Sequence, residues 1–344
     1  MQGSAVPDII TVSDLVEVYA DGTKAVDGIS FNVQEGEFFG FLGPNGAGKS
    51  TTIKILTTLL RKTSGKVSVA GYDLDKDPKE IRKVIGVQSQ DTSVDPELTG
   101  RENMILQGNL QQMHGKELEE RVDHLLDVVG LKDAADKRAG RYSGGMKKRL
   151  DLASTLVHKP KVLFLDEPTT GLDPQSRATV WDYLEELNEK EGITIFLTTQ
   201  YLEEADRLCQ RLCIVDAGKI VAEGSPVGLK KEIGADAITI SVEDKTGAGD
   251  KATTKAAAKA LLSKLPEVME VVDSEEGLTL YVKNGGLFVP ELVRAFDKTD
   301  IQLLSINIST PSLDDVFLKH TGKRIRREEL VKEVNTGRFG SRRR

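Results

Sequence analysis

Apolar and polar residues alternate from Ile9 to Val18 and again from Ala25 to Val33, a period of two that predicts paired β-strands. The apolar run Glu37-Phe38-Phe39-Gly40-Phe41-Leu42 predicts a buried strand, and the spacing of Ile53, Ile55, Leu56, Leu59 and Leu60 predicts a helix after it. Lys66 to Ala70 reads as a short strand closed by Gly71. From about Thr99 to Gly130 the pattern turns helical, with Leu118, Val122, Leu125, Leu126 and Val129 on one face and Gly130 placed to cap the end. Three continuous apolar runs, Val162–Leu165, Ile193–Leu197 and Leu212–Val215, predict strands buried on both faces of a parallel sheet. Helical patterns at Pro174–Glu189 and Leu202–Leu212 separate them, so the layout is α/β with a helical insertion.

After Pro226 the character changes. Ala237–Val242 is strand-like, Ala252–Leu265 helical, Val268–Val272 and Leu278–Val282 strand-like, Phe288–Phe296 helical and Leu303–Ile308 strand-like. That order, βαββαβ, predicts a smaller ferredoxin-like α+β unit. From Lys323 the chain is rich in Arg and Lys without apolar periodicity after Val334. Such a segment is ordinarily solvated, with anionic-lipid contact as the alternative. The expected division is therefore a first domain over 1–225, with a helical part over about 92–160, an accessory domain over 226–322 and a basic tail over 323–344.

Composition narrows the function classes. The 344 residues suffice for two cores; 29% are charged and the net charge is −7, which disfavours a polyanion such as nucleic acid as partner. No apolar run approaches the roughly 20 residues that span a bilayer, and the first residues lack a signal-peptide pattern, so a cytoplasmic protein is expected. Cys209 and Cys213 lack the second ligand pair of a zinc site and read as small buried apolar residues.

The chemistry starts at Gly43-Pro44-Asn45-Gly46-Ala47-Gly48-Lys49-Ser50-Thr51, set between a predicted strand and a predicted helix. In that context glycines let the backbone fold around phosphate oxygens, and the helix start aims unpaired N–H groups at them. Lys49 would reach the β- and γ-phosphates, and the Ser50 hydroxyl would ligate Mg²⁺. A second feature is the apolar strand of residues 162–165 ending in Asp166-Glu167-Pro168. Strands of open α/β sheets deliver such carboxylates to the nucleotide crevice, Asp166 toward Mg²⁺ and Glu167 toward the attacking water. Third comes Tyr142-Ser143-Gly144-Gly145-Met146, opening a helix through Leu150, Leu152, Ala153, Leu156 and Val157. Ser143 is a good N-cap, and the glycines expose N–H groups for an anion.

Together these segments resemble the nucleotide-binding subunits of ATP-binding-cassette (ABC) transporters, over about residues 9–225. The resemblance implies a P-loop ATPase domain with a mixed-sheet core, an antiparallel β subdomain and a helical subdomain. It makes Tyr19 the aromatic that stacks on adenine, Gly43–Thr51 the Walker A loop, Ser143–Gly145 the signature and Asp166–Glu167 the Walker B pair. Gly171-Leu172-Asp173-Pro174 takes the place of the D-loop, which makes Asp173 a nucleotide-site residue. Gln90 is implied as the catalytic and metal-facing Q-loop glutamine, with Gln88 as the alternative. Three positions depart from the family pattern. The signature ends in Met146 rather than Gln, the Q-loop reads Gln88-Ser89-Gln90, and Gln200 stands where a switch histidine is usual. Glutamine can donate a hydrogen bond to a γ-phosphate but takes no proton near neutral pH. Gln200 and Pro311-Ser312-Leu313-Asp314-Asp315-Val316-Phe317 resemble the daunorubicin-resistance type, which serves drug or lipid-like efflux and carries a C-terminal accessory domain.

The implied mechanism needs two copies, because one chain holds one phosphate loop and one signature. A head-to-tail homodimer would clamp two ATP molecules with Mg²⁺, and a separate membrane subunit at the cytoplasmic face would dock on about Gln90–Arg101. A soluble ABC ATPase not coupled to transport is the first rival. A nucleic-acid-associated ATPase is the second, and a non-hydrolysing binder the third.

Overall fold

The two alternating runs form β1 (Asp8–Val18) and β2 (Lys24–Gln34), antiparallel, with Ile10 opposite Val33 and Val12 opposite Phe31. After them come β3 (Phe38–Leu42), α1 (Lys49–Leu56), β4 (Ser64–Val69) and β5 (Tyr72–Asp73). A four-stranded antiparallel sheet in the order β2-β1-β4-β5 results. Helix α1 stops at Leu56, short of the expected Leu60. Thr58 is left-handed and the N–H groups of Leu59 and Leu60 both return to the Lys54 carbonyl, which closes the helix. The computed structural model describes residues 6–233, 236–245, 251–274, 277–297, 299–309 and 311–321. The basic segment from Lys323, with the lipid contact considered for it, lies outside the described residues.

Helix α2 (Pro78–Val84) leads into β6 (Ile85–Gln88). The long helical pattern divides into α3 (Gly100–Leu110) and α4 (Gly115–Val128), because left-handed Gln112 and Gly115 turn the chain between them. Thr99 and Glu102 bond each other's backbone N–H at the start of α3, a reciprocal capping box. The predicted apolar face of α4 is buried, and Gly130 is left-handed just past its end. The chain continues through α5 (Gly144–Thr155), β7 (Val162–Asp166), α6 (Pro174–Glu191) and β8 (Thr194–Thr199). It then forms α7 (Leu202–Leu208), β9 (Arg211–Asp216) and β10 (Lys219–Gly224). Helix α7 ends at Leu208 rather than Leu212, since Leu212 already pairs with Gly40 in the sheet.

The second sheet has the order β10-β9-β3-β8-β7-β6, parallel except for β10. Its central strands are apolar on both faces because both are covered. Phe39, Phe41, Phe164 and Phe196 face the first sheet and α1, where Phe31 stacks on Phe39 at 5.7 Å between ring centroids. Phe38, Leu42, Leu163, Leu165 and Leu197 face the helices on the other side. Each such aromatic or leucine contributes roughly 1.5–3 kcal/mol on full burial. Cys209 and Cys213 are free thiols buried in these two cores.

The remainder is α8 (Pro226–Ile233), β11 (Asp236–Asp244), α9 (Lys251–Leu262), β12 (Val268–Ser274) and β13 (Gly277–Val282). Helix α10 (Gly285–Asp297), β14 (Ile301–Ser309) and α11 (Leu313–Thr321) complete it. The sheet order is β12-β13-β11-β14, antiparallel throughout, and α9 and α10 supply Ala258, Leu262, Phe288, Leu292 and Phe296 to its core. This is the ferredoxin-like arrangement. The helices at the two ends of the 226–322 stretch pack elsewhere: Leu229 of α8 and Leu313, Val316 and Phe317 of α11 are buried in the first body's core. Positions 313, 316 and 317 make one apolar stripe along α11, and α8, α7 and β10 cover it. Lys319 fastens the pair by donating to the Glu232 carbonyl at 3.0 Å. Among the described residues no helix is long and apolar enough to cross a membrane.

Phe317→Ala therefore lowers the stability of the nucleotide-binding body by about 3 kcal/mol or more, read by urea unfolding. A variant whose β11–β14 unit alone is weakened contradicts this packing.

Candidate active site

In the sheet β8 lies between β3 and β7, so the carboxyl ends of the three parallel strands meet side by side. A crevice there is where open α/β sheets take ligands. The loop after β3 is tied down at both ends. The Gly43 N–H donates to the Thr199 carbonyl at 3.1 Å, and the Ala47 carbonyl accepts from the Gly218 N–H at 3.1 Å. Asn45 and Gly46 form its exposed crest, while Pro44 accepts from the Ala47 N–H. Gly48 is left-handed, and a Cβ there would lie 2.3 Å from the Ala25 carbonyl oxygen, so only glycine fits.

Lys49 opens α1 with its ammonium buried. It donates to the carbonyls of Gly43 at 2.7 Å and Pro44 at 3.0 Å and pairs with Glu167 Oε1 at 3.1 Å. The two charged side chains are only 3% and 8% exposed. All three ammonium protons are thus engaged by the chain itself. Glu167 reaches this position through a left-handed backbone, φ 49°, unusual for a residue with a Cβ and worth about 1–3 kcal/mol of strain. Its N–H is held by the Thr198 carbonyl at 3.1 Å, and its Oε2 accepts from Thr170 Oγ1 at 3.3 Å.

Asp166, one residue earlier, points to the other side of the strand end. Its Oδ1 accepts from Ser50 Oγ at 3.1 Å and from Thr198 Oγ1 at 2.6 Å. A serine hydroxyl and a carboxylate in contact are hard oxygen donors of the kind Mg²⁺ takes, so the donor set fits that ion. At the loop's edge the Tyr19 hydroxyl shares a hydrogen bond of 3.0 Å with Thr51 Oγ1, leaving the ring partly exposed.

The two Q-loop glutamines differ in engagement. Gln88 is buried, its Nε2 donating to Asp151 Oδ2 and to the Lys148 carbonyl, both at 3.2 Å. Gln90 is exposed and only its carbonyl is bound, by Lys148 Nζ. Gln200 is half-buried, directly after Thr199, whose Oγ1 accepts from the Tyr201 N–H at 2.9 Å.

The signature gathers at a second place. Ser143 caps α5, accepting from the Met146 N–H at 3.2 Å, and Ser143 and Gly144 are exposed. A Cβ on Gly145 would lie 2.8 Å from Ser176 Oγ. Asp173 caps α6 from the same spot, taking the N–H groups of Gln175 and Ser176 and the Ser176 hydroxyl at 2.6 Å. Those Ser176 bonds hold the Asp173 carboxyl below the usual carboxylate range.

Thr198 and Glu204 fall in the 198–206 stretch that the resemblance makes the switch region, but the sequence reading gave neither a role of its own. Thr198-Thr199 end an apolar strand parallel to the Asp166 strand, which is the signal for Thr198. Glu204 is four residues before Leu208 on α7 and so lies on the buried face. Fully buried, it accepts from Thr169 Oγ1 at 2.7 Å and Trp181 Nε1 at 2.8 Å, and burial raises its pKa.

Comparison with known proteins agrees with this geometry. Residues 26–170 match the ABC transporter family, and residues 224–321 match the C-terminal domain of ATP-binding proteins like DrrA1-3. The daunorubicin/doxorubicin resistance ATP-binding protein DrrA of Streptomyces peucetius is 43% identical, covering 91% of this chain and 92% of its own length. The Nod factor export ATP-binding protein I of Burkholderia pseudomallei is 40% identical over 90% of this chain and 95% of its own length. Among solved structures, cbiO1 of Clostridium perfringens, part of the ABC transporter complex cbiONQ, aligns with a TM-score of 0.60. It is 29% identical, and the match covers 75% of this chain and 96% of that one. The ATP-binding cassette MJ0796, dimeric and bound to ADP and phosphate after hydrolysis, aligns at 0.57 and 27% identity over 63% of this chain and 98% of that one. With the phosphate loop, the paired acids and the C-terminal domain all accounted for, the chain belongs to the ABC transporter ATP-binding proteins, ATPases that bind ATP with Mg²⁺, in the daunorubicin-resistance branch.

Proposed function

We propose that this ATPase powers export of a drug or lipid-like compound through a separate integral-membrane subunit, at the cytoplasmic face of the cell membrane. Its relatives support export: one is named for daunorubicin/doxorubicin resistance and another for Nod factor export, at 43% and 40% identity. Since relatives with unlike names match almost equally well, cargo choice belongs to the membrane subunit in this reading.

The observation that carries the chemistry is the buried Lys49–Glu167 pair beside the Ser50–Asp166 contact. An incoming triphosphate offers Lys49 phosphate oxygens in place of Glu167 and the Gly43 and Pro44 carbonyls. Glu167, so released, faces the attacking water and takes its proton. Ser50, Asp166 and Gln90 would hold Mg²⁺, which when bound neutralises charge on the β- and γ-phosphates. Thr198 orients Asp166 for that task. Gln200 donates its amide N–H to the γ-phosphate and leaves proton acceptance to Glu167. Tyr19 stacks on the purine, and the Ser143–Gly145 helix tip of a second copy closes the site, with Asp173 beside it, in a homodimer.

The surface offered to the membrane subunit is the segment from Gln90 to Arg101. Its turn at Asp95 is braced from α3, because the Asp95 N–H and carbonyl are both held by the Asn103 amide, at 2.8 and 3.0 Å.

Two measurements test this reading. Glu167→Gln retains ATP binding, since the triphosphate supplies the counter-charge Lys49 needs, and loses turnover by about a hundredfold or more. Near-normal hydrolysis in that variant contradicts the assignment of Glu167 as base. A cysteine placed at Asp95 cross-links to the membrane subunit in co-expressed membranes; capture solely through β11–β14 contradicts the docking surface.

A further inference from the structure

Asp151 is a buried acid for which the hydrolytic chemistry has no use. It lies on α5 with 2% of its surface exposed. Its Oδ1 accepts from the Ser93 N–H at 3.0 Å and the Ser93 hydroxyl at 2.6 Å, and its Oδ2 accepts from Gln88 Nε2 at 3.2 Å. One turn earlier on the same helix, Lys148 takes Gln88 Nε2 on its carbonyl and gives its ammonium to the Gln90 carbonyl. Residues 88, 90 and 93 are therefore gripped from one side, by two adjacent turns of one helix. A carboxylate inside a protein is tolerated when donors satisfy it, and bonds to an ionised acceptor are the strong kind.

The same helix begins at Ser143 and runs unbroken from Gly144 to Thr155. From Ser143 to Asp151 is about 12 Å of rigid rod at the α-helical rise. A displacement of the Ser143–Gly145 tip is therefore a displacement of the Asp151 carboxylate, and with it of the loop that carries Gln90.

We propose that Asp151 is a positioning residue that locks the Q-loop to the signature helix, so that Gln90 takes its working place in the chain's own site only when the Ser143 tip is seated on the partner copy. The inference rests on the two-copy reading above. Asp151 does not touch nucleotide. It converts docking of the tip into placement of Gln90, which ties hydrolysis in one site to assembly at the other.

Three variants of the full-length protein test this: Asp151→Ala, Asp151→Asn and Ser93→Ala, each assayed for ATP affinity and for turnover well below its melting temperature. Asp151→Ala keeps ATP affinity within about twofold and loses about tenfold or more in kcat, because a loop misplaced by an ångström costs that much or more. Asp151→Asn restores part of the loss. Its amide carbonyl still accepts from the Ser93 N–H and hydroxyl, the two shorter of the Asp151 bonds. Ser93→Ala, which leaves the helix interior untouched, lowers kcat by a smaller factor and decides the matter if Asp151→Ala does not fold. A purely structural role lowers the melting temperature of these variants and leaves kcat within about twofold of wild type, and that result overturns the proposal. Full turnover by a strictly monomeric form of the wild-type protein would instead sink the underlying two-copy reading.

Discussion

The Lys49 ammonium is the point to which the nucleotide-binding body is fitted. It gathers two carbonyls from the loop after β3 and a carboxylate from the end of β7, and it does so out of contact with water. A buried cation is costly unless it is paired and fully hydrogen-bonded, so these partners are obligatory. The left-handed backbone at Glu167 follows from that need, since it turns the carboxylate back toward the lysine. Between the two strands, β8 supplies Thr198, whose side chain holds Asp166 and whose carbonyl holds the Glu167 N–H. One cation thus organises three strand ends.

Much of this was legible in the chain itself. The phosphate loop, Asp166 and Glu167 were found because each sits next to an apolar strand, and the strand end dictates where they point. The antiparallel order of β11–β14 was legible for the same reason, as period-two and helical patterns alternate cleanly there. What escaped notice depends on contacts distant in sequence. Thr58 ends α1 through its backbone, which no side-chain pattern announces. The burial of Gln88 depends on Asp151, 63 residues away. Leu313, Val316 and Phe317 make a visible stripe, but nothing in their spacing says which of two cores they enter.

The destination of that stripe matters for how the chain works as a unit. Because α11 returns to the first body beside α7 and α8, the accessory sheet is held by packing at both its entry and its exit. Helix α7 begins two residues after Gln200, and its buried Glu204 reaches Thr169 and Trp181 around the Asp173 turn. The strand end at Gln200, the turn at Asp173 and the C-terminal helix therefore share one stretch of core. The Asp151 link does for the Q-loop and the signature what this stretch does for the other motifs, and the result is a body in which the phosphate cradle and the outward tip are mechanically joined.

The central claim is that each triphosphate is enclosed by the Lys49 cradle of one copy and the Ser143 tip of another. Mixing Lys49→Ala protein with Ser143→Arg protein tests it directly, because each variant alone lacks one half of every site. In a mixed dimer one composite site keeps both halves. With random pairing, half the dimers are mixed and each has one of two sites whole, so activity returns to as much as about a quarter of wild type. A mixture as inactive as its parts, alongside a monomeric form with full turnover, contradicts the account.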